Sequence, residues 1–155
     1  MTQAIVAGSI VVAALNAAAA LIGGWLWYRG EEGEGRGPVI FWLMLRVGQG
    51  SALTLAIAVG SLAAAGKRPS EDLFYLYSLL PLAVAFMAEQ LRATSAQAVL
   101  DQRGLADAHA VGQLPEAEQQ ALMLTVLRRE MGVMALSALV VVFLALRAAG
   151  TAHGF

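Results

Sequence analysis

The sequence predicts an all-α integral membrane protein: a four-helix bundle with a helical hairpin that extends into the cytoplasm between spans 3 and 4. Apolar residues make up 59% of the 155 residues, and the mean hydropathy is +0.67. Both values exceed those of an ordinary soluble domain. Four stretches with little or no charge approach the length of about 20 residues that crosses about 30 Å of hydrocarbon. Most of the charged residues lie between these stretches, as loops of a membrane protein require.

The first span comes from residues 1–28, which carry no charge. This stretch is too long for the apolar core of a secretory signal peptide and lacks the basic residues that open one. The remaining spans are recognised in the same way, by an apolar run bounded by charges. Within a single domain of residues 1–155, we predict spans over residues 4–28, 39–66, 73–92 and 130–149.

The segment between the last two spans, residues 93–129, is predicted as an extramembrane helical hairpin. The helical pattern of the third span continues until Gly104, which is a typical helix stop. Pro115 then opens a second helix, with Glu116 and Glu118 in its first turn, and this helix leads into the fourth span.

Basic residues predict the orientation of the four spans. Loops on the cytoplasmic side of a membrane carry the excess of lysine and arginine. Residues 29–37 and 93–129 are therefore predicted to be cytoplasmic, with both termini outside the plasma (inner) membrane. The basic residues on the predicted inner side are Arg29, Arg36, Arg92, Arg103, Arg128 and Arg129, with Arg46 at the border, against Lys67, Arg68 and Arg147 on the outer side.

Composition excludes several classes of function. The chain has no cysteine, and its two histidines, His109 and His153, lie outside the apolar stretches. Disulfides, thiolate metal sites and a haem held by two histidines are thereby excluded. A formal net charge of −1 gives no basic field for nucleic acid. We predict no metal, no cofactor and no nucleic-acid partner.

A small group of polar side chains interrupts the apolar sequence at one predicted membrane boundary. Arg46 lies about 20 residues before the second loop, hence about 30 Å from it along a helix. Gln49 lies three residues later on the same helical face, and Glu89 reaches the same depth on the third span. Two interpretations stay open: Arg46 is a boundary residue paired with Glu89 or Glu130, or Arg46, Gln49 and Glu89 form the mouth of a pathway.

A second polar group is predicted near the middle of the membrane. Pro81 in the third span cannot donate to the carbonyl of Tyr77, which is left without its usual helical partner. An interhelical hydrogen bond from Asn16 would satisfy that carbonyl, and the alternative is a layer that binds a solute. The polar residues at this depth are Asn16, Thr54, Ser78 and Ser137.

The second span carries a stripe of small residues at every fourth position. Such spacing lets the backbones of membrane helices approach closely. We predict that the stripe packs against a neighbouring helix within the bundle or between protomers, and the alternative is a role in lining a pore. Its members are Gly48, Ala52, Ala56, Gly60 and Ala64.

Three classes of function remain open. A binding site or pathway for a small solute or ion would explain the polar residues and Pro81. An accessory or assembly subunit of a larger membrane complex would explain the small-residue stripe and the hairpin. An intramembrane enzyme would have only Glu89 and Glu130 as acid–base candidates, with no nucleophile beside them, so we predict no catalytic residue. The expected partners are membrane lipids and either further copies of the chain or other subunits.

Overall fold

The computed structural model of the protein describes residues 2–33, 35–106 and 108–152, so Glu34, Asp107 and His153 of the predicted loops and tail lie outside it. Within these ranges the chain is helical and contains no strand, which confirms the all-α class. The helices are α1 (Thr2–Arg29), α2 (Arg36–Ala64), α3 (Leu73–Gln102), α4 (Ala108–Gly112) and α5 (Glu116–Thr151).

Four of the described helices, α1, α2, α3 and α5, are long and apolar enough to cross a membrane. The shortest of them, α1, has 28 residues. At 1.5 Å per residue it is about 42 Å long, which exceeds the hydrocarbon thickness of about 30 Å. These four helices therefore fit a multi-pass membrane protein.

The long helices pack in a cyclic order. α1 packs along α2 and α5, and α3 packs along the same two helices, so α1 and α3 are diagonal to each other. Ile5 of α1, Val59 of α2, Phe74 of α3 and Ala148 of α5 share one buried cluster. We call this level the terminal end, because the first and last described residues, Thr2 and Ala152, lie near it, and the opposite level the loop end.

Buried apolar side chains fill three successive levels between these ends. The terminal cluster contains Ile5 and Phe74, and a middle cluster contains Val12, Ala52 and Val141. The largest cluster lies at the loop end and contains several bulky side chains. Four of them are at most 1% exposed and leave little room in this part of the interior: Phe41, Leu45, Met131 and Met134.

The end of α3 is fixed by a glycine. Gly104 has a φ of +68°, a left-handed conformation that glycine adopts without steric cost. The Leu105 N–H donates to the Leu100 carbonyl at 3.0 Å, which closes the helix in the manner of a Schellman motif. The predicted stop at Gly104 is confirmed, and so is the predicted start after Pro115, with Glu116 and Glu118 in the first turn of α5.

Candidate functional site

The polar residues predicted at the membrane boundary meet between α2 and α3. Arg46 Nη1 lies 2.5 Å from Glu89 Oε1 and donates to Gln49 Oε1 at 2.7 Å. Gln49 Nε2 donates to the same Glu89 oxygen at 3.3 Å. The predicted pairing of Arg46 is therefore confirmed with Glu89, and Glu130 is not its partner.

Glu89 also connects this group to α5. Arg92 Nη1 lies 3.1 Å from Glu89 Oε2, and Arg92 Nε lies 3.2 Å from Glu130 Oε2. The Arg92 guanidinium is also 4.8 Å from the ring centroid of Trp42 on α2, within the range of a cation–π interaction. We call Arg46, Gln49, Glu89, Arg92 and Glu130 the charge network; it joins α2, α3 and α5 at the loop end.

The chemistry of the charge network is that of a clamp between helices. Two guanidinium groups face two carboxylates, so the formal charges cancel, and both carboxylates accept hydrogen bonds. Among the described hydrogen bonds of the network, none involves a serine, lysine or histidine. Among the described residues, no group of three or more acidic or histidine side chains could hold a metal ion. The arrangement is therefore an ion-pair network that joins three helices.

Asn16 does not form the predicted interhelical hydrogen bond with the Tyr77 carbonyl. Its side chain is 2% exposed, and Nδ2 donates to the Val12 carbonyl of its own helix at 2.9 Å. It packs against α2 at Gly48, where an added Cβ would lie 3.0 Å from Nδ2. The prediction was wrong because α3, which carries Tyr77, is diagonal to α1 rather than beside it.

The contact at Gly48 also brings Asn16 close in depth to the charge network. Gly48 lies two residues from Arg46, which corresponds to about 3 Å along the helix axis. The two sites face different neighbours, since Gly48 contacts α1 whereas Arg46 contacts α3. Asn16 and the charge network therefore lie at a similar depth, but no hydrogen bond between described residues connects them.

Thr54 and Ser137 lie away from the interior. The Thr54 hydroxyl donates to the Gly50 carbonyl at 2.9 Å, and the side chain is exposed. The Ser137 hydroxyl donates to the Met134 carbonyl at 2.8 Å and lines a shallow groove between α3 and α5. Both hydroxyls bond their own helix, as is usual for serine and threonine in apolar helices.

Ser78 is buried, and a second buried serine, Ser9, lies at the same level of the interior; it was not predicted from the sequence. Ser9 is 0% exposed and Ser78 is 1% exposed, and neither hydroxyl has a hydrogen-bond partner in the described part of the chain. Each serine lies four residues beyond a member of the terminal cluster, Ser9 after Ile5 and Ser78 after Phe74. Both hydroxyls therefore lie about 6 Å below that cluster, at one level of the interior.

Small residues and a free carbonyl accompany this serine pair. Ala56 of α2 and Ala145 of α5 are buried, and each lies three residues from its own member of the terminal cluster, hence near the same level. Pro81 is also buried and lies about one turn beyond Ser78. Because proline has no N–H, the carbonyl of Tyr77, the residue next to Ser78, lacks its usual helical donor. Ser9 gives no sequence signal by itself; only its spacing from Ile5, matched by Ser78 and Phe74, could have indicated it.

The small-residue stripe is divided between two environments. Gly48, Ala52 and Ala56 are buried, whereas Gly60 and Ala64 are exposed, and a Cβ on Gly60 would meet nothing within 4 Å. A step of four residues advances about 40° beyond one full turn of a helix. Over the length of the stripe the small face therefore rotates out of the α1 contact.

Comparison with known proteins assigns no relative to this chain. No protein-family model, no curated protein and no solved structure matches it. The class that the structure defines is an all-helical chain with four helices suited to crossing a membrane.

Proposed function

We propose that the protein is a multi-pass plasma-membrane protein whose four long helices form a bundle with both termini outside. The cyclic packing of α1, α2, α3 and α5 supports the bundle, and the excess of arginine at the loop end supports the orientation. The extension of α3 to Gln102 and the start of α5 at Glu116 fit a cytoplasmic helical hairpin over residues 93–129. Val99 and Leu122, buried within these extensions, support packing of the hairpin on itself.

We further propose that the protein acts as a non-catalytic accessory subunit that binds a transmembrane helix of a partner membrane protein. The observation that carries this proposal is an open groove of about 390 Å³ between α1 and α2. Small residues let helix backbones approach closely, and hydroxyl groups can bond across such contacts. Small side chains and hydroxyls make up most of the lining: Ala4, Gly8, Ser51, Thr54 and Ala58, with Val11 and Leu55.

Isolation of the protein from its own membranes tests this proposal. In mild detergent we expect the wild-type chain to come with a partner protein, identified by native mass measurement. Ala58→Phe fills the groove and should release the partner, whereas Ala63→Phe is a matched control, because Ala63 is exposed on α2 outside the groove. A wild-type chain that is isolated alone would refute the accessory role, and one isolated with further copies of itself would assign the groove to a homo-oligomer.

One observation favours a second candidate function, the binding or passage of a small solute or ion. Ser9 and Ser78 offer two unpartnered hydroxyls in the interior, beside the carbonyl released by Pro81. In transporters, carbonyls freed from helical hydrogen bonds contribute to binding sites at mid-depth. The other polar residues argue against a continuous route to Arg46, Gln49 and Glu89, because Asn16, Thr54 and Ser137 bond their own helices.

Flux through proteoliposomes separates the second candidate from the first. If Ser78 binds a passing solute, Ser78→Ala should abolish flux while the helical content is unchanged. Ser137→Ala serves as the control, since that hydroxyl lines an outer groove. Wild-type protein that passes no ion or small metabolite from a broad panel would eliminate the pathway.

A further inference from the structure

A second groove, between α1 and α5, differs from the partner groove in both lining and position. It has a volume of about 580 Å³ and a lining of aliphatic residues, glycine and tryptophan. On α5 the lining extends from Gly132 to Val142, ten residues or about 15 Å. That length is about half of the hydrocarbon thickness of about 30 Å, the depth of one leaflet. On α1 the lining includes Ala20, Gly24 and Trp27.

The loop end of this groove is basic and aromatic. The Arg128 guanidinium lies 5.2 Å from the ring centroid of Trp27, which itself lines the groove. Arg128 precedes Gly132 by four residues and so lies on the lining face of α5. Arg129 precedes Leu136 by seven residues, which puts it at the edge of the same face. Arginine and tryptophan at this level are the groups that meet phospholipid headgroups at a membrane surface.

The described acidic residues near this entrance pair with all but one of the arginines there. Arg29 pairs with Glu31 and Arg128 pairs with Glu32, each at 3.7 Å. Glu130, the residue after Arg129, pairs with Arg92. Arg129 is exposed and forms no ion pair within the part of the chain that the structure describes. Among the described residues, the charge left unpaired at the entrance is therefore that of Arg129.

We propose that the α1–α5 groove binds an anionic phospholipid of the cytoplasmic leaflet. One acyl chain lies in the groove from Trp27 towards Val142, and the headgroup phosphate pairs with Arg129 and Arg128. The positive charge of the entrance favours an anionic headgroup. The lining is about one leaflet long, which favours an acyl chain over a transmembrane peptide helix, because such a helix would continue through both leaflets. This inference rests on the proposed membrane location and is independent of the partner-binding role.

Native mass measurement of the full-length protein in detergent tests the inference directly. The protein is titrated with phosphatidylglycerol and with phosphatidylcholine of identical acyl chains. A basic residue near a membrane surface contributes about 1 kcal/mol, or about fivefold in affinity. We expect the apparent Kd for phosphatidylglycerol to be lower by at least that factor. Arg129→Gln should remove about fivefold of this preference, and Arg36→Gln, an exposed arginine at the same end but on α2, should leave it unchanged.

A second pair of variants tests the acyl-chain part of the groove. A Cβ on Gly24 would meet nothing within 4 Å, so Gly24→Leu fills the groove without a clash and should weaken binding of both lipids. Gly60→Leu is the matched control, because Gly60 is equally open but lies on α2. Equal affinity of the wild type for both lipids, or undiminished binding by Gly24→Leu, would overturn the inference. Extraction of the protein by alkaline carbonate would instead refute the membrane location on which it rests.

Discussion

Arg46 on α2 contacts Glu89 on α3 in an ion pair that is only partly shielded, with side-chain exposures of 49% and 30%. Exposed ion pairs contribute about 0–1 kcal/mol, whereas breaking a buried pair costs about 3–5 kcal/mol. Glu89 keeps Arg92 as a second partner when Arg46 is removed. The contribution of Arg46 should therefore lie in the lower part of the interval between these limits.

Arg46→Leu should reduce the free energy of unfolding in detergent by about 1–2 kcal/mol, and Glu89→Leu should cost at least as much, because Glu89 also pairs with Arg92. In a double-mutant cycle, the combination of Arg46→Leu with Glu89→Leu should cost less than the sum of the two single changes, because the residues interact. Arg36→Leu removes an exposed charge outside the network and should change stability by less than about 0.5 kcal/mol. Strictly additive losses for Arg46 and Glu89 would show that the contact contributes no stability.

Enlargement of Gly48 should separate α1 from α2. Because an added Cβ already lies 3.0 Å from Asn16 Nδ2, Gly48→Leu overpacks the contact and should cost about 1–3 kcal/mol in thermal or denaturant unfolding. Gly60→Leu, where the added side chain meets open space, should be neutral or slightly stabilising. Asn16→Ala should recover part of the loss in the Gly48 variant. Equal stability of the Gly48 and Gly60 variants would exclude a close α1–α2 contact at Asn16.

The buried serine pair makes a prediction that also distinguishes the two candidate functions. A buried hydroxyl without a partner costs about 1–3 kcal/mol. Ser9→Ala and Ser78→Ala should therefore increase the free energy of unfolding by about 1 kcal/mol, whereas Ser137→Ala, which removes a hydrogen-bonded hydroxyl, should not. Destabilisation by Ser9→Ala or Ser78→Ala in the membrane-reconstituted protein would indicate that the hydroxyls bind a solute there.

Labelling of single cysteines tests the orientation. The chain is free of cysteine, so Ser70→Cys and Gly112→Cys each introduce one thiol, and both positions are exposed. A thiol reagent that does not cross membranes should label the Ser70 variant on intact cells and the Gly112 variant only after permeabilisation. The reverse pattern would invert the topology, with residues 93–129 outside.

Contacts within one helix, and contacts that a charge requires, could be predicted from the sequence. The spacing of Arg46 and Gln49 fixes them on one face, and an arginine among apolar residues needs a carboxylate at its depth, which Glu89 supplies. The stop at Gly104 was predictable because glycine favours the left-handed conformation that ends a helix.

Contacts that depend on which helices are neighbours could not be predicted. The sequence does not specify the cyclic order α1, α2, α3, α5. Asn16 was therefore expected to bond to α3, the helix diagonal to α1, whereas it packs against Gly48 of α2. Ser9 was missed for the same reason, since its significance depends on sharing a level with Ser78. The stripe of small residues rotates around α2, and only the structure shows where its contact with α1 ends.

The hydrogen bond from Asn16 to Val12 has a consequence for the synthesis of the protein. The bond satisfies one donor of the Asn16 side chain within α1 itself, and the helix contains no charge before Arg29. We therefore expect α1 to enter the lipid before the other helices are made. α2 contains the charged Arg46, and the Glu89 carboxylate that neutralises it is made 43 residues later, so α2 cannot enter the lipid in the same way. We expect the translocon to retain α2 until α3 emerges and to release the two helices into the bilayer together.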